Sequence, residues 1–228
     1  MAKDNNQEEE LFVDVEEVYG KTETFIDENK NSIISVVVGI IVVIGGYFAY
    51  SNFVTIPNEK EAKEMMFMAE QYFQQDSLNK AIYGDGVNMG FLAIEDNYGS
   101  TKAGNLANYY LGISYLRSGQ FESAISSLED FSSNDVMLSS IALGAQGDAY
   151  MELGDKSKAA SFYSKAAKAN TNDFTSPIYL MKAGMAYEAI GEYKDALNAY
   201  KTIKKDFSKT QEGAEVQKYI ARVETFIN

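Results

Sequence analysis

The longest apolar run of the chain lies near its N-terminus. Residues 33–50 hold Ser35 as their one small polar side chain, and no charged residue occurs over residues 31–58. Eighteen helical residues span roughly 27 Å, and the uncharged extension through Ile56 covers a hydrocarbon core of about 30 Å. This pattern predicts a transmembrane helix over residues 31–56.

Two other readings of the apolar run fit less well. A buried core helix would show a polar face, and this run has none. A cleaved signal peptide would follow a basic segment and end in a small-x-small site, but the preceding segment is acidic and no such site comes before Pro57. Tyr47, Tyr50 and Phe53 mark the C-terminal end, where interfacial aromatic residues occur. We therefore expect an uncleaved membrane anchor.

An acidic tail precedes the anchor. Residues 1–30 carry three Lys and ten acidic side chains, a net charge of −7. Apolar or small residues recur at helical spacing, at Leu11, Val15, Val18, Thr22 and Phe25. The tail is therefore expected to form an amphipathic helix, and its apolar stripe suits either the membrane surface or a protein partner.

The C-terminal part of the chain repeats one pattern three times. A small residue is followed at fixed spacing by Tyr, Gly and Ala in residues 112–124, 147–159 and 184–196. The starting glycines Gly112, Gly147 and Gly184 are 35 and 37 residues apart. A repeat of this length is typical of stacked helical units.

Each copy has the features of a helical hairpin. Gly119 suits the left-handed conformation that ends a first helix. Gly112 lets the second helix approach the first closely. On that second helix each copy has a large residue four positions after its Ala, namely Leu128, Tyr163 or Tyr200. One hairpin cannot bury both of its faces, so the copies are expected to stack.

These copies resemble tetratricopeptide repeats, although Asn108, Leu143 and Leu180 replace the Trp of that signature and its terminal Pro is absent. The apolar run and this resemblance together predict an all-α chain: a single N-terminal transmembrane helix followed by a tetratricopeptide-repeat α-solenoid over residues 59–228. The expected units are a degenerate repeat at 62–101, repeats at 105–138, 140–173 and 177–208, and a capping helix at 211–227. In the degenerate copy Asp76 stands where the other copies have Gly, and a Gly-rich stretch over 83–90 is expected to break or kink its second helix. The capping helix has Ala214, Ile220, Val223 and Ile227 at helical spacing.

Composition removes several classes of function. The chain has neither Cys nor His, so thiol nucleophiles, His-based triads and the commonest metal ligands are missing. A net charge of −13 disfavours nucleic-acid binding. The Gly-rich stretch lacks both a Walker ending and dinucleotide-fingerprint spacing. We therefore expect no enzyme activity, no cofactor, no metal and no nucleic acid, and predict a protein-binding role.

The concave face of tetratricopeptide arrays is lined mainly by first-helix residues. Mapped from the glycines, the candidate concave face comprises Leu106, Tyr109, Ile113, Leu116, Ile141, Asp148, Met151, Ile178, Met181, Met185 and Glu188. Its side chains are mainly apolar and do not form the cationic clamp that grips a free carboxylate, so an apolar helix or unfolded segment is the expected ligand. Alternatively, these residues pack against the next repeat or a terminal helix.

The order of acidic tail, single anchor and repeat domain resembles the ancillary SecYEG translocon subunit (YfgM-like) family, as does Phe25-Ile-x-x-Asn29-Lys30 before the anchor. That resemblance implies a bacterial inner-membrane scaffold with a cytoplasmic N-terminus and a periplasmic repeat domain. Its implied partners are Sec translocon subunits and periplasmic chaperones or exported clients. The lysines on the two sides of the anchor balance, so charge alone does not orient it. A scaffold of another envelope machine, in outer-membrane assembly, secretion or cell division, is the alternative.

Overall fold

The computed structural model describes residues 15–227, with side chains from Phe25 onward except that of Asp27. Most of the predicted apolar stripe of the tail therefore lies outside the described side chains. Within residues 15–227 the chain forms eleven α-helices and no strand, so the all-α prediction is confirmed. The helices are α1 (Val15–Tyr50), α2 (Ile56–Gln74), α3 (Leu78–Tyr83), α4 (Phe91–Tyr98), α5 (Lys102–Arg117), α6 (Phe121–Asp130), α7 (Val136–Glu152), α8 (Lys156–Ala169), α9 (Ser176–Ala189), α10 (Tyr193–Asp206) and α11 (Gln211–Glu224).

Helix α1 forms a unit of its own, separate from the unit that starts at Thr55. Its apolar stretch is entirely unburied and is long and apolar enough to cross a membrane. A π-helical segment, Ser51–Thr55, joins α1 to α2. Pro57 lies in the first turn of α2 and lacks the N–H that would bond the carbonyl of Phe53, which explains the irregular hydrogen bonding there. Helical structure thus continues beyond the end of the apolar run.

The first helices of the hairpins end in the same way. Gly119, Gly154 and Gly191 have φ of 76°, 81° and 81°, as the sequence predicts. The residue after each glycine donates its N–H to a Tyr carbonyl five residues earlier, at 2.8–2.9 Å, as in Gln120 to Tyr115. This pattern is the Schellman motif, which satisfies carbonyls at a helix end. The three copies therefore share one turn geometry.

Asp76 adopts the same conformation at the end of α2. Its φ is 57°, and it is the one non-glycine residue with positive φ in the described chain. Ser77 donates its N–H to the carbonyl of Tyr72 at 2.8 Å, which reproduces the turn of the other copies. The first hairpin thus keeps the repeat geometry without the glycine, at the cost of a conformation that side chains disfavour.

Close packing between paired helices explains the second set of glycines. A methyl group at Gly112 would overlap Leu128, and one at Gly147 would overlap the ring of Tyr163. At Gly184 it would overlap the ring of Tyr200, which is fully buried. Each pair joins the first and second helices of one copy. The close approach predicted from the spacing is confirmed.

The second helix of the first hairpin is broken, as predicted. Helices α3 and α4 are separated by the loop over residues 84–90. Asp85 organises this loop, because its Oδ1 accepts the N–H groups of Val87 and Asn88 at 2.9 and 2.7 Å. Its Oδ2 accepts the hydroxyl of Tyr72 at 2.7 Å. These hydrogen bonds hold the pKa of Asp85 well below its usual range. The Gly-rich stretch is therefore a turn that is stabilised by hydrogen bonds to Asp85 from within the loop and from Tyr72 of α2.

The last helix covers the end of the array. Val216, Ile220 and Val223 of α11 are buried and pack with Tyr200 and Ile203 of α10. Ala214 and Ile227, which the sequence pattern placed on the same face, are exposed. Ile227 lies beyond the end of the helix, and Val216 occupies the buried position near Ala214. The predicted face of this helix was therefore wrong at two of its four positions.

Candidate functional site

The residues of the candidate concave face lie on three first helices, α5, α7 and α9. Nine of the eleven are half-buried, and only Ile178 and Met185 are exposed, at 43% and 40%. The structure therefore divides the predicted set into side chains engaged within the array and side chains that face outward. That these eleven residues together bind a ligand remains a prediction.

The part on α5 contributes to packing between repeats. Tyr109, Ile113 and Leu116 pack against a buried group made of Leu128, Ala142 and Ala145. Leu106 packs instead against the core that includes α2 and α4. The alternative reading of the sequence, in which these residues pack against the next repeat, applies to this part of the face.

Asp148 on α7 is held by two neighbouring helices. Its Oδ1 accepts the hydroxyl of Tyr163 at 2.6 Å, and Lys182 Nζ lies 2.7 and 2.9 Å from its two oxygens. Lys182 also lies over the ring of Tyr163, 5.4 Å from the centroid, and 6.0 Å from that of Tyr179. Burial and the hydrogen bond to Asp148 raise the pKa of Tyr163. The phenol is therefore a neutral donor and Asp148 a partnered carboxylate.

Glu188 on α9 has an equivalent environment one repeat later. Its Oε1 accepts the hydroxyl of Tyr200 at 2.6 Å. The guanidinium of Arg222 donates to Oε1 and Oε2 at 2.7 and 2.9 Å, a bidentate geometry. Burial and the hydrogen bond to Glu188 raise the pKa of Tyr200. The carboxylate of Glu188 is thus bound by side chains of the array itself.

The two acid–cation pairs have the same sequence separation. Asp148 and Lys182 are 34 residues apart, and so are Glu188 and Arg222. A third pair joins Arg117 to Asp76 at 2.6 Å, with the guanidinium 5.1 Å from the centroid of Phe73. The Asp148–Lys182 and Asp76–Arg117 pairs each link one repeat to the next, and the Glu188–Arg222 pair links the last repeat to α11. Sequence reasoning missed the partners of these acids, and a charge pattern at the repeat length was the available signal.

Tyr179 fills the space between α7 and α9. A methyl group at Gly144 would overlap its ring, so the glycine makes room for the phenol. Burial raises the pKa of Tyr179 to about 12. This wedge replaces a side chain that α7 would otherwise present at the candidate concave face. At Gly144 the space beside α7 is therefore filled by Tyr179 of the chain itself.

An apolar stripe on α9 remains accessible. Phe174, just before the helix, is 75% exposed, and Ile178 and Met185 follow it at helical spacing. Met181, between them, is half-buried and packs against the buried cluster that includes Tyr200 and Ile203. Large apolar side chains grouped in this way on a soluble surface mark sites of interaction. Of the predicted face, this stripe is the part most open to a partner.

The described residues offer little for metal or cofactor chemistry. Among the described side chains, from Phe25 onward, no group of three or more acidic residues is placed to hold a metal ion. What the arrangement offers is apolar surface, partnered carboxylates and clefts between first helices. These features suit recognition of a polypeptide.

Comparison with known families locates the repeats. Residues 109–174 match a family model described as Tetratricopeptide repeat, and residues 179–210 match a second model with the same description. The chain therefore contains tetratricopeptide repeats over these residues, and such repeats are generally non-catalytic modules that mediate protein–protein interaction. The search of curated proteins matched none to this chain.

Proposed function

We propose that this protein is a membrane-anchored scaffold that binds other proteins through its tetratricopeptide repeats. The observation that carries the proposal is the accessible apolar stripe of Phe174, just before α9, with Ile178 and Met185 on it, within a repeat region that follows an apolar helix long enough to span a bilayer. Flexible Met side chains on the stripe suit varied apolar ligands. Helix α1 is the anchor of this proposal, and no catalytic step is part of it.

The finer proposal is association with the bacterial Sec translocon. It is supported by the order of an acidic tail, one anchor and a repeat domain, which resembles that of the ancillary translocon subunits. In this arrangement the repeats face the periplasm, where they meet chaperones or exported clients. The acidic tail remains in the cytoplasm.

Site-specific photo-crosslinking in membranes tests the scaffold role. A benzoyl-phenylalanine at Ile178 or Met185 is expected to form adducts with partner proteins, because both side chains are exposed on the stripe. The matched control is Ser161, which is exposed on the second helix α8. Adducts equal at all three positions, or absent from the stripe, would contradict the proposal.

The identity of the adducts tests the finer proposal. Sec channel subunits or periplasmic chaperones in the adducts would support the translocon assignment. Adducts formed only with proteins of outer-membrane assembly, secretion or cell division would leave the scaffold role intact and replace the translocon with another envelope machine.

Protease treatment of spheroplasts tests the orientation. We expect the repeat domain to be digested while a tag on the N-terminus survives, since a long domain translocates largely regardless of the charges beside its anchor. The potential, negative inside, opposes this orientation, because it favours moving the −7 tail outward. Loss of the tag with survival of the repeats would place the domain in the cytoplasm and remove the translocon proposal.

A further inference from the structure

The junctions between successive first helices, and between α9 and the last helix α11, are not alike. At three of them a cation of the following helix lies on an acid of the preceding repeat: Arg117 on Asp76, Lys182 on Asp148 and Arg222 on Glu188. In each case an aromatic ring lies 5.0–5.4 Å from the cation. The array thus repeatedly places a cation between a carboxylate and an aromatic face.

The junction between α5 and α7 has no such pair among the described residues. It contains instead an open cleft of about 440 Å³, here called the α5–α7 cleft. Leu116 and Met151 supply apolar walls, and the ring of Tyr163 contributes a further surface. The cleft therefore lies at the junction that lacks such a pair among the described residues.

The charges lining the α5–α7 cleft leave one carboxylate without a counterion. Arg117 is committed to Asp76, and Asp148 is neutralised by Lys182. Glu152 lies one turn after Asp148 on α7, and within the described chain no cationic side chain comes within 4 Å of it. The cleft and its bound ion pairs thus carry a net charge of about −1, which complements a cation.

A second cleft of the array lacks this excess negative charge. The cleft of about 340 Å³ between α2 and α5 also has an apolar wall, formed by Met66 and Leu106. Its two acids, Glu59 and Glu70, are matched in number by Lys63 and Lys102. That cleft has no excess charge to select a ligand.

We propose that the α5–α7 cleft binds a Lys or Arg side chain of a partner polypeptide. The aliphatic part of the incoming side chain packs on Leu116 and Met151, and its charged end pairs with Glu152 near the ring of Tyr163. This inference rests on the proposed scaffold function and adds the chemistry of one contact: an apolar segment that carries a basic residue.

Peptide binding to the full-length protein in nanodiscs of zwitterionic lipid tests the inference. The probes are three labelled peptides of identical Leu-rich sequence that differ at one central residue, which is Lys, norleucine or Glu. We expect the Lys peptide to bind about fivefold to tenfold more tightly than the norleucine peptide, as one or two partly exposed ion pairs provide. The Glu peptide is expected to bind least tightly, and empty nanodiscs correct for binding to lipid.

Two conservative variants assign the preference to the cleft. Glu152→Gln is expected to remove the preference for Lys over norleucine while leaving the norleucine peptide unchanged. Glu129→Gln is the matched control, because Glu129 is an exposed acid on the second helix α6 and does not line the cleft. Circular dichroism of both variants verifies that the helices are retained.

The outcomes separate this inference from the scaffold proposal. Equal binding of the Lys and norleucine peptides, equal effects of the two variants, or no binding of any peptide would overturn the assignment of the cleft. Adducts from Ile178 and Met185 would then still support the scaffold role. A Lys preference that disappears only in Glu152→Gln supports the assignment.

Discussion

Replacing Gly184 with Ala has two opposing effects on the free energy of unfolding, and they are similar in size. In a helix interior the change is worth about 1 kcal/mol in favour of Ala, because Gly loses more backbone entropy on folding. The new methyl group would overlap Cε1 and Cζ of the Tyr200 ring. Overpacking of a core costs about 1–3 kcal/mol. The packing around Tyr200 decides which effect is larger.

Tyr200 has little freedom to move away. Its side chain is fully buried, its hydroxyl is bound to Glu188 at 2.6 Å, and its ring lies 5.4 Å from that of Tyr219. We therefore take the upper end of the overpacking range, about 3 kcal/mol. Gly184→Ala is then expected to lower the free energy of unfolding by about 2 kcal/mol.

A double-mutant cycle tests this reasoning through a change of sign. In a Tyr200→Ala background the overlap is removed, so Gly184→Ala should raise the free energy of unfolding by about 1 kcal/mol. The assay is urea unfolding of the full-length protein in detergent, followed by circular dichroism, with the apolar helix remaining in the micelle. A stabilising Gly184→Ala in the wild-type background, or the same effect in both backgrounds, would refute the argument.

Three further predictions follow from burial and charge. The fragment of residues 59–228 should be soluble, monomeric and almost wholly helical, because its net charge of about −6 favours solubility; circular dichroism showing strand, or aggregation, would contradict this. Tyr150→Ala should lower the free energy of unfolding by about 2 kcal/mol, less than the 3–5 kcal/mol lost with a fully buried aromatic residue, because Tyr150 is only half-buried. Urea titrations of Tyr150→Ala and Tyr200→Ala compare the two losses. Burial raises the pKa of Glu59, but hydrogen bonds from Lys63 and from the N–H groups that begin α5 outweigh it and lower the pKa overall. The stability that Glu59 contributes is therefore present above its unfolded pKa of about 4.3 and is lost as the pH falls through the lower pKa of the folded state. The urea midpoints of the wild type and of Glu59→Gln should therefore become equal at acidic pH.

The sequence was most informative about backbone geometry. Positive φ at Gly119 and its counterparts, and the close approach at Gly184, follow from requirements that only a few residue types satisfy. The break after α3 follows from local composition in the same way. Such features depend on neighbours along the chain, so spacing is enough to predict them.

The sequence was less informative about which side chains remain available. Asp148 and Glu188 fall at first-helix positions predicted to face a ligand, yet both are bound by residues 34 positions later. The wedge of Tyr179 over Gly144 likewise depends on the distance between two helices of different repeats. These contacts are set by rotamers and stacking between units, which the pattern within one unit does not specify.

The broken second helix of the first hairpin has a consequence for the order in which the array opens. Helices α3 and α4 have six and eight residues, too short to hold many internal hydrogen bonds, whereas α8 and α10 have fourteen each. Short helices depend on tertiary contacts for nearly all of their stability. In native-state hydrogen exchange the amides of α3 and α4 should therefore lose protection before those of α8 and α10, which makes the first hairpin the weakest cooperative unit of the array.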